Sequence, residues 1–292
     1  MTQTSFRPRR SVLYMPSSNE RALEKAKALP CDGILFDLED AVAPDAKPAA
    51  RGNACAAVAS GEYGHRELVI RVNGMDTEWH EEDMKAACAA GPDAIAVPKV
   101  SSAQAVLDLV ASMERYGAPA STTLWAMVET PIAMLQAYEI ASASPRLSVL
   151  VMGTNDLVKE LYAEHVPGRA PVQTGLQLCL LAARAAGKAI LDGVYNDVKN
   201  EAGFEAECQQ GREWGFDGKT LIHPGQIAPA NAAFAPSEQA VEDARGILAA
   251  WEEGKGRGVV TYKNKMIENL HVESAKRALE MHEAITALEA QA

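Results

Sequence analysis

The chain has 292 residues, 48% apolar and 23% charged, with a net charge of -11. Such a chain folds as one large α/β domain with an appendage or as two ordinary domains, and it is not disordered. The acidic balance excludes a global basic footprint for nucleic acid and a polybasic membrane patch, so an anionic substrate must be met by a local basic pocket.

In chain order, the start MTQTSFRPRR is basic but no apolar h-region follows. No signal peptide is expected, and a cytoplasmic location follows by default. Short apolar runs then recur at 11–16, 33–40, 68–74, 94–100, 123–130, 149–157, 189–195 and 218–224. The longest are about seven residues, too short to span a bilayer. They are too evenly apolar for half-exposed antiparallel strands, and a closed parallel barrel fits them better. Amphipathic stretches separate them at 19–29, 45–60, 79–90, 102–116, 131–142, 174–186, 201–215 and 225–234. Eight βα units are the prescription of a (β/α)8 TIM barrel, which needs about 250 residues. An open doubly wound sheet rarely uses eight regular units, and no GxGxxG follows the first run. Asn19 is placed to cap the first helix, Ser101 or Ser102 the fourth, and Pro131 stands in a first turn.

The barrel is expected over residues 1–235. A helix at 238–253, a glycine-rich turn at 254–258, a strand-like pair around 259–262 and 265–267, and a last helix at 271–290 follow. Residues 236–292 are too few for a robust independent domain, so they are expected to form a lid or oligomerisation arm on the barrel or a neighbouring subunit. The five cysteines, Cys31, Cys55, Cys88, Cys179 and Cys208, form no CxxC pair and are expected to be buried reduced thiols.

Chemistry in a barrel collects at the carboxyl ends of the strands. The stretch VLVMGTNDL, 149–157, runs apolar to Gly153 and then turns polar, with Asp156 near its end. LWAMVET, 124–130, does the same with Glu129. Two consecutive strands each delivering one carboxylate suit Mg²⁺, a hard cation that keeps room for water and substrate. Other strand ends carry Asp37, Glu39 and Asp40; Arg71 and Asn73; Lys99; Asn155; Asp192; and Lys219 and His223. Arg71 is the natural fork for a substrate carboxylate. Each has a structural alternative. Glu129 and Asp156 could be helix N-terminal acids, and Asp37, Glu39 and Asp40 could pair with lysines on adjacent strands. Asp192 and Lys219 could pair with each other, and His223 could be a hydrogen-bonded structural residue. Helix-face charges such as Glu81, Glu82 and Asp83 are expected to be solvated. Absence of G-x-S-x-G, a Walker loop and HExxH removes support from three common enzyme classes.

The segments RSVLYMPSSNERALEKA, FDLEDAVAPDAKPAAR, RVNGMDTEW, VPKV, MVETP, MGTNDL and GKTLIHPGQ occur in order across nearly the whole chain. Together they resemble the citrate lyase β-subunit-like (HpcH/HpaI aldolase/citrate lyase) family of CoA-ester enzymes, whose barrels are of the pyruvate/phosphoenolpyruvate type. YGHR, NGMDTEW, GTNDLVKEL, LCLLAARA and DGVYN look most like its malyl-CoA thioesterase branch, itself similar to malyl-CoA and citramalyl-CoA lyases. The resemblance implies Mg²⁺ held by Glu129 and Asp156; the sequence leaves open whether Mn²⁺, which accepts the same oxygen ligands, replaces it. It implies Arg71 orienting substrate oxygens, and Asp37, Glu39 and Asp40 behind them holding metal-bound waters. Backbone around Gly153, Thr154 and Asn155 would cradle the substrate carboxylate, and Arg21 and Lys25 would meet the CoA phosphates. It also implies a homotrimer or homohexamer in which the C-terminal lid reaches a neighbouring subunit's site.

One departure stands out. Lyases of the family resemble one another in a lid pattern (M/L)-(I/V)-D, and here the string is Met266-Ile267-Glu268. The added methylene moves the carboxylate by roughly 1.5 Å, and misplacement on that scale can cost about a hundredfold in rate. A longer arm suits a general base aimed through water at a thioester carbonyl better than a proton carrier at an enolate carbon. The expected activity is therefore Mg²⁺-dependent hydrolysis of (3S)-malyl-CoA to malate and CoA. Its alternative is retro-Claisen cleavage of malyl-, methylmalyl-, citramalyl- or citryl-CoA to acetyl-CoA or propionyl-CoA and a 2-oxo acid. A non-catalytic subunit of a CoA-ester lyase complex is the reading from another class.

Overall fold

The structure, a computed structural model, describes residues 7–254 and 258–290. The first six residues of the basic start and the middle of the glycine-rich turn, 255–257, lie outside the described residues. Two compact units partition the chain, one spanning Arg9–Phe234 and one beginning at Ala235.

The first unit is a closed barrel of eight parallel strands in sequence order: β1 (Ser11–Pro16), β2 (Gly33–Asp37), β3 (Glu67–Arg71), β4 (Ala94–Val97), β5 (Thr123–Val128), β6 (Leu147–Met152), β7 (Ala189–Asp192) and β8 (Gly218–Leu221). β8 closes the ring on β1 through Ser11↔Lys219. Around it lie α1 (Glu20–Ala26), α2 (Lys47–Ser60), α3 (His80–Ala90), α4 (Ala103–Arg115), α5 (Pro131–Leu135), α6 (Ala137–Ser142), α7 (Thr154–Glu160), α8 (Gln173–Ala185), α9 (Glu201–Trp214) and α10 (Ile227–Phe234). The expected caps form: the Asn19 side chain accepts from Ala22 N–H, and Ser102, not Ser101, accepts from Ala105 N–H. Two details differ from the sequence pattern. The fifth helical stretch breaks at Gln136 into α5 and α6, and the strand-six loop contains the extra short helix α7.

Apolar strand residues divide into two clusters. Val12, Leu35, Val69, Ala94, Ala96, Trp125, Met127, Val149, Val151 and Leu191 fill the barrel interior. The alternate positions, with the inner faces of the helices, form the larger cluster outside it. Side chains on a strand alternate faces, so this parity decides what the strand ends can reach. Asp37 stands two positions after Leu35, Arg71 two after Val69, and Glu129 two after Met127. All three share the interior face. Asp192 follows Leu191 directly and faces the helices.

There Asp192 pairs with Lys219 at 3.0 Å and with Arg169 at 2.7 Å, and Glu207 joins Lys219 at 2.7 Å. Burial alone would raise the Asp192 carboxyl, but Lys219 and Arg169 outweigh it and hold it down. The Asp192–Lys219 pair is thus structural. His223 caps the turn after β8, its Nδ1 accepting from Gly225 N–H at 3.1 Å.

In the second unit, α11 (Glu238–Glu253) packs on α12 (Asn269–Glu289). Between them β9 (Val260–Tyr262) and β10 (Lys265–Ile267) form an antiparallel hairpin. Its two turn residues, Lys263 and Asn264, both have positive φ, 46° and 62°, as the tightest hairpin turn demands. Glu268 stands at the N-terminus of α12, where its backbone N–H donates to His271 Nδ1 at 3.0 Å. All five cysteines carry free thiols; four are buried and Cys55 is half-buried. No helix among the described residues is long and apolar enough to cross a membrane.

Candidate active site

β5 and β6 run in register from Trp125↔Val149 to Val128↔Met152. The next residues, Glu129 and Gly153, therefore sit side by side just past the strand ends. Glu129 is 2% exposed, and its Oε1 accepts the Lys99 N–H at 2.7 Å. Lys99 presents that N–H from a left-handed backbone, φ 54°, a conformation that costs energy outside glycine and tends to persist where surrounding structure holds it. Asp156 follows in the first turn of α7. Burial pushes the Glu129 carboxyl up to about 7, the neighbouring Asp156 adds to the rise, and the Lys99 N–H and Arg71 oppose it. Burial would lower the Lys99 ammonium, yet Asp156, Glu39 and Glu129 together raise it. These groups therefore share one electrostatic neighbourhood.

Gly153 is indispensable to that arrangement. A Cβ there would lie 2.0 Å from Glu129 Oε2 and 2.4 Å from Glu129 Cβ. Gly153→Ala should therefore expel Glu129 without removing any acid. We expect divalent-cation affinity, measured by calorimetry, to fall at least about tenfold; unchanged affinity would show that Glu129 does not contact the cation.

Arg71 is 6% exposed and makes a two-pronged contact with Asp37, Nε to Oδ1 and Nη2 to Oδ2, each at 2.6 Å. Its third nitrogen, Nη1, lies 2.7 Å from Glu39 Oε2 and 3.4 Å from Asp40 Oδ2. The Glu39 contact is an ion pair without hydrogen-bond alignment, and that oxygen has no hydrogen-bond partner. Burial pushes the Glu39 carboxyl up to about 7 against the pull of Arg71. The guanidinium also lies over the Tyr14 ring, 4.8 Å from its centroid. Asp37 does not pair with a lysine, one of the alternatives left open by its sequence: its strand register, Asp37↔Arg71, places the arginine beside it.

Other expectations change on contact with the structure. The Gly153 N–H donates to Val128 O at 3.1 Å and belongs to the sheet. Among the described residues no hydrogen bond is made by the amides of Thr154 and Asn155, which open the first turn of α7. The Asn155 side chain is paired reciprocally with Asn196, at 3.1 and 2.7 Å, tying the β6 loop to the β7 loop. Asp83 is not a solvated helix charge. It is fully buried, accepting from Arg51 Nε at 2.7 Å and from Asn73. Lys47, which sequence reasoning passed over, is 5% exposed and reaches the carbonyls of Leu38 and Glu39. Its signal was a lysine just inside a helix start after an acidic strand end, which is too common to single out. Arg21 and Lys25 are exposed on α1.

A cavity of about 530 Å³ opens beside the β6 and β7 loops, lined by Thr154, Arg169, Tyr195, Asn196 and Glu207 among others. It shares Thr154 with the acid site but none of Asp37, Arg71, Glu129 or Asp156. The acid cluster, not this hollow, is where charge and burial conflict.

No group of three or more His, Cys, Asp or Glu among the described residues is arranged around a common metal position. What the structure offers is two hard carboxylates, Glu129 just past β5 and Asp156 in the first turn of α7, the first of them buried, raised and without an ion pair among the described residues. That donor set fits Mg²⁺ completed by water and substrate oxygens.

Residues 10–224 match the HpcH/HpaI aldolase/citrate lyase family. The chain belongs to that family. Residues 171–284 also match a C–C bond lyase family of the TIM-barrel fold. Among relatives, the protein named (3S)-malyl-CoA thioesterase from Cereibacter sphaeroides is 53% identical over 285 residues, covering 97% of this chain and 98% of its own length. The citrate lyase subunit beta of Escherichia coli is 36% identical over 286 residues, covering 96% of this chain and 95% of its own. A crystal structure of CitE from Mycobacterium tuberculosis, in complex with magnesium, acetoacetate and coenzyme A, has a TM-score of 0.76 at 29% identity. It covers 95% of this chain and 97% of that one. The closed eight-strand parallel barrel thus agrees with the TIM-barrel fold of the family match and of that structural neighbour.

Proposed function

We propose that the chain is an enzyme that hydrolyses the thioester of (3S)-malyl-CoA, with Mg²⁺, to malate and CoA. The observation that carries the chemistry is Glu129: a buried carboxyl raised to about 7 beside a second acid, at the end of a barrel strand. The substrate is supported by the 53% identity, over nearly the whole length, to a protein named for that activity. Magnesium and coenzyme A in the CitE crystal support the cofactor and the CoA moiety.

Glu129 and Asp156 would hold the cation, which when bound supplies positive charge for developing negative charge on substrate oxygens. Deprotonated Glu129 is fixed by the Lys99 N–H and walled in by Gly153. Asp37 grips two nitrogens of Arg71 and leaves Nη1 as the edge that can change partners. Its weaker contact is Asp40, whose side chain is 72% exposed. A substrate oxygen would take Asp40's place there and be oriented by the guanidinium. The amides of Thr154 and Asn155 would receive the malyl carboxylate. Arg21 and Lys25 would meet the CoA phosphates. Glu268 from a neighbouring copy would act as general base, taking a proton from the water that attacks the thioester carbonyl. That exchange makes residues 236–292 a lid and the assembly a homotrimer or homohexamer. Mn²⁺, with the same preference for oxygen donors, would substitute.

The second reading, retro-Claisen cleavage, is favoured by the match of 171–284 to C–C bond lyases and by the citrate lyase β relatives. Products decide between them. Incubation of the purified protein with malyl-CoA and Mg²⁺ should release malate and free thiol in equal amounts with no glyoxylate. Glyoxylate without equivalent thiol would overturn hydrolysis. Glu268→Asp should lose hydrolysis by about tenfold to a hundredfold and, where any new product appears, yield glyoxylate. A variant that hydrolyses as fast as the parent would overturn the argument from the longer arm of Glu268.

A further inference from the structure

We infer that Lys47 is a positioning residue of the site: its ammonium clamps the segment that carries Glu39 and so sets the acid edge beside Arg71. The clamp deepens the hydrolase reading and rests on it only for the kinetic half of the test.

Lys47 begins α2 and is 5% exposed. All three of its ammonium hydrogens are used, on Leu38 O at 2.9 Å, Glu39 O at 3.0 Å and Asn73 Oδ1 at 2.7 Å. None of these acceptors is charged. A buried ammonium satisfied only by neutral oxygens is costly to keep, so its geometry is informative. Two acceptors are consecutive carbonyls flanking the Glu39 Cα. The amide side of the same segment is held by Asp37, whose Oδ1 accepts Glu39 N–H at 2.9 Å and Oδ2 accepts Ala41 N–H at 3.1 Å. Asp37 is also the two-pronged partner of Arg71. Segment 38–41 is thus gripped from both edges, and Glu39 has one direction left, toward Arg71 Nη1 at 2.7 Å.

The third acceptor ties the clamp to the helices. Asn73 Nδ2 donates to Leu38 O at 3.0 Å and to Asp83 Oδ2 at 2.6 Å, and Asp83 Oδ1 receives Arg51 Nε at 2.7 Å. The Trp79 ring lies 4.9 Å from Lys47 Nζ. A chain of charge-assisted bonds, Arg51–Asp83–Asn73–Lys47, therefore runs from α2 and α3 to the backbone under Glu39. Such supports fix the orientation of groups that meet metal and substrate.

The test uses the full chain with Lys47→Met, Glu39→Gln and the double variant. Amide exchange by mass spectrometry over 38–41 should accelerate at least about tenfold in Lys47→Met, with the barrel strands unchanged. With malyl-CoA, kcat should fall about tenfold to a hundredfold at nearly constant KM. Because Lys47 acts through Glu39, the double variant should lose no more than the worse single. Losses that multiply, or exchange that does not change, overturn the clamp. A parent enzyme that leaves malyl-CoA intact overturns the hydrolase reading instead, while the exchange measurement still decides the clamp. Should Lys47→Met fail to fold, Lys47→Gln, which keeps an amide donor, is read in the same way.

Discussion

Glu129→Gln is expected to abolish turnover, by more than about a hundredfold, while making the metal-free protein more stable above neutral pH. The two effects share one cause. In the fold the carboxyl is raised from its ordinary 4.5 to about 7, first by burial and then by Asp156. Between those values the folded state keeps a proton that the unfolded chain releases. Stability therefore falls as pH rises through that window, and the full penalty, of order 3 kcal/mol, is present above about pH 7. Glutamine has no proton to lose and removes the penalty. Glu39, raised to about 7 in the same sense, adds a second drop. The variant should thus keep the part of the pH dependence that Glu39 supplies. Urea midpoints of the metal-free protein between pH 5 and 8 measure both parts. Saturating Mg²⁺ should flatten the parent's curve, because the cation competes with the proton at Glu129. A glutamine variant that tracks the parent across that range, with and without Mg²⁺, would be fatal to the cation site.

Arg71→Met should lose both activity and fold stability. Asp37 is 1% exposed and gives both oxygens to the guanidinium. Removing one partner of a buried pair leaves an uncompensated charge, at a cost of about 3–5 kcal/mol. Glu39 and Asp40 lose their cation as well. Arg71→Lys keeps the charge but not the fork, and an ammonium cannot hold both Asp37 oxygens in one plane. The lysine variant should fold, with kcat lower by about a hundredfold. Adding Asp37→Asn to Arg71→Met should recover part of the lost stability, since it neutralises the stranded carboxylate. Denaturant midpoints of the four proteins form the comparison. An Arg71→Met protein as stable as its parent would mean that the Asp37 contact contributes nothing net.

Much of this molecule was legible in its sequence. Eight evenly apolar runs, each followed by an amphipathic stretch, specify a parallel barrel because buried parallel strands need apolar residues on both faces. The motifs that end in Glu129 and Asp156 marked the acid site, since a carboxylate just past a buried strand has no packing reason to be there. Strand parity was not legible. A run that is apolar at every position does not announce which alternate residues face the barrel. Asp37 and Asp192 look alike in sequence, yet one lies on the interior face beside Arg71 and the other pairs with Lys219 against the helices. Hydrogen bonds between distant segments were equally hidden. Lys47 on Leu38 and Glu39, and Asp83 beneath Asn73, depend on how α2 and α3 lie against the loop after β2. The sequence by itself determined the eight-fold alternation and the chemical kind of each strand end. Only closure of the barrel decided which ends face one another, because that depends on register and side-chain direction, which a uniformly apolar strand does not encode locally.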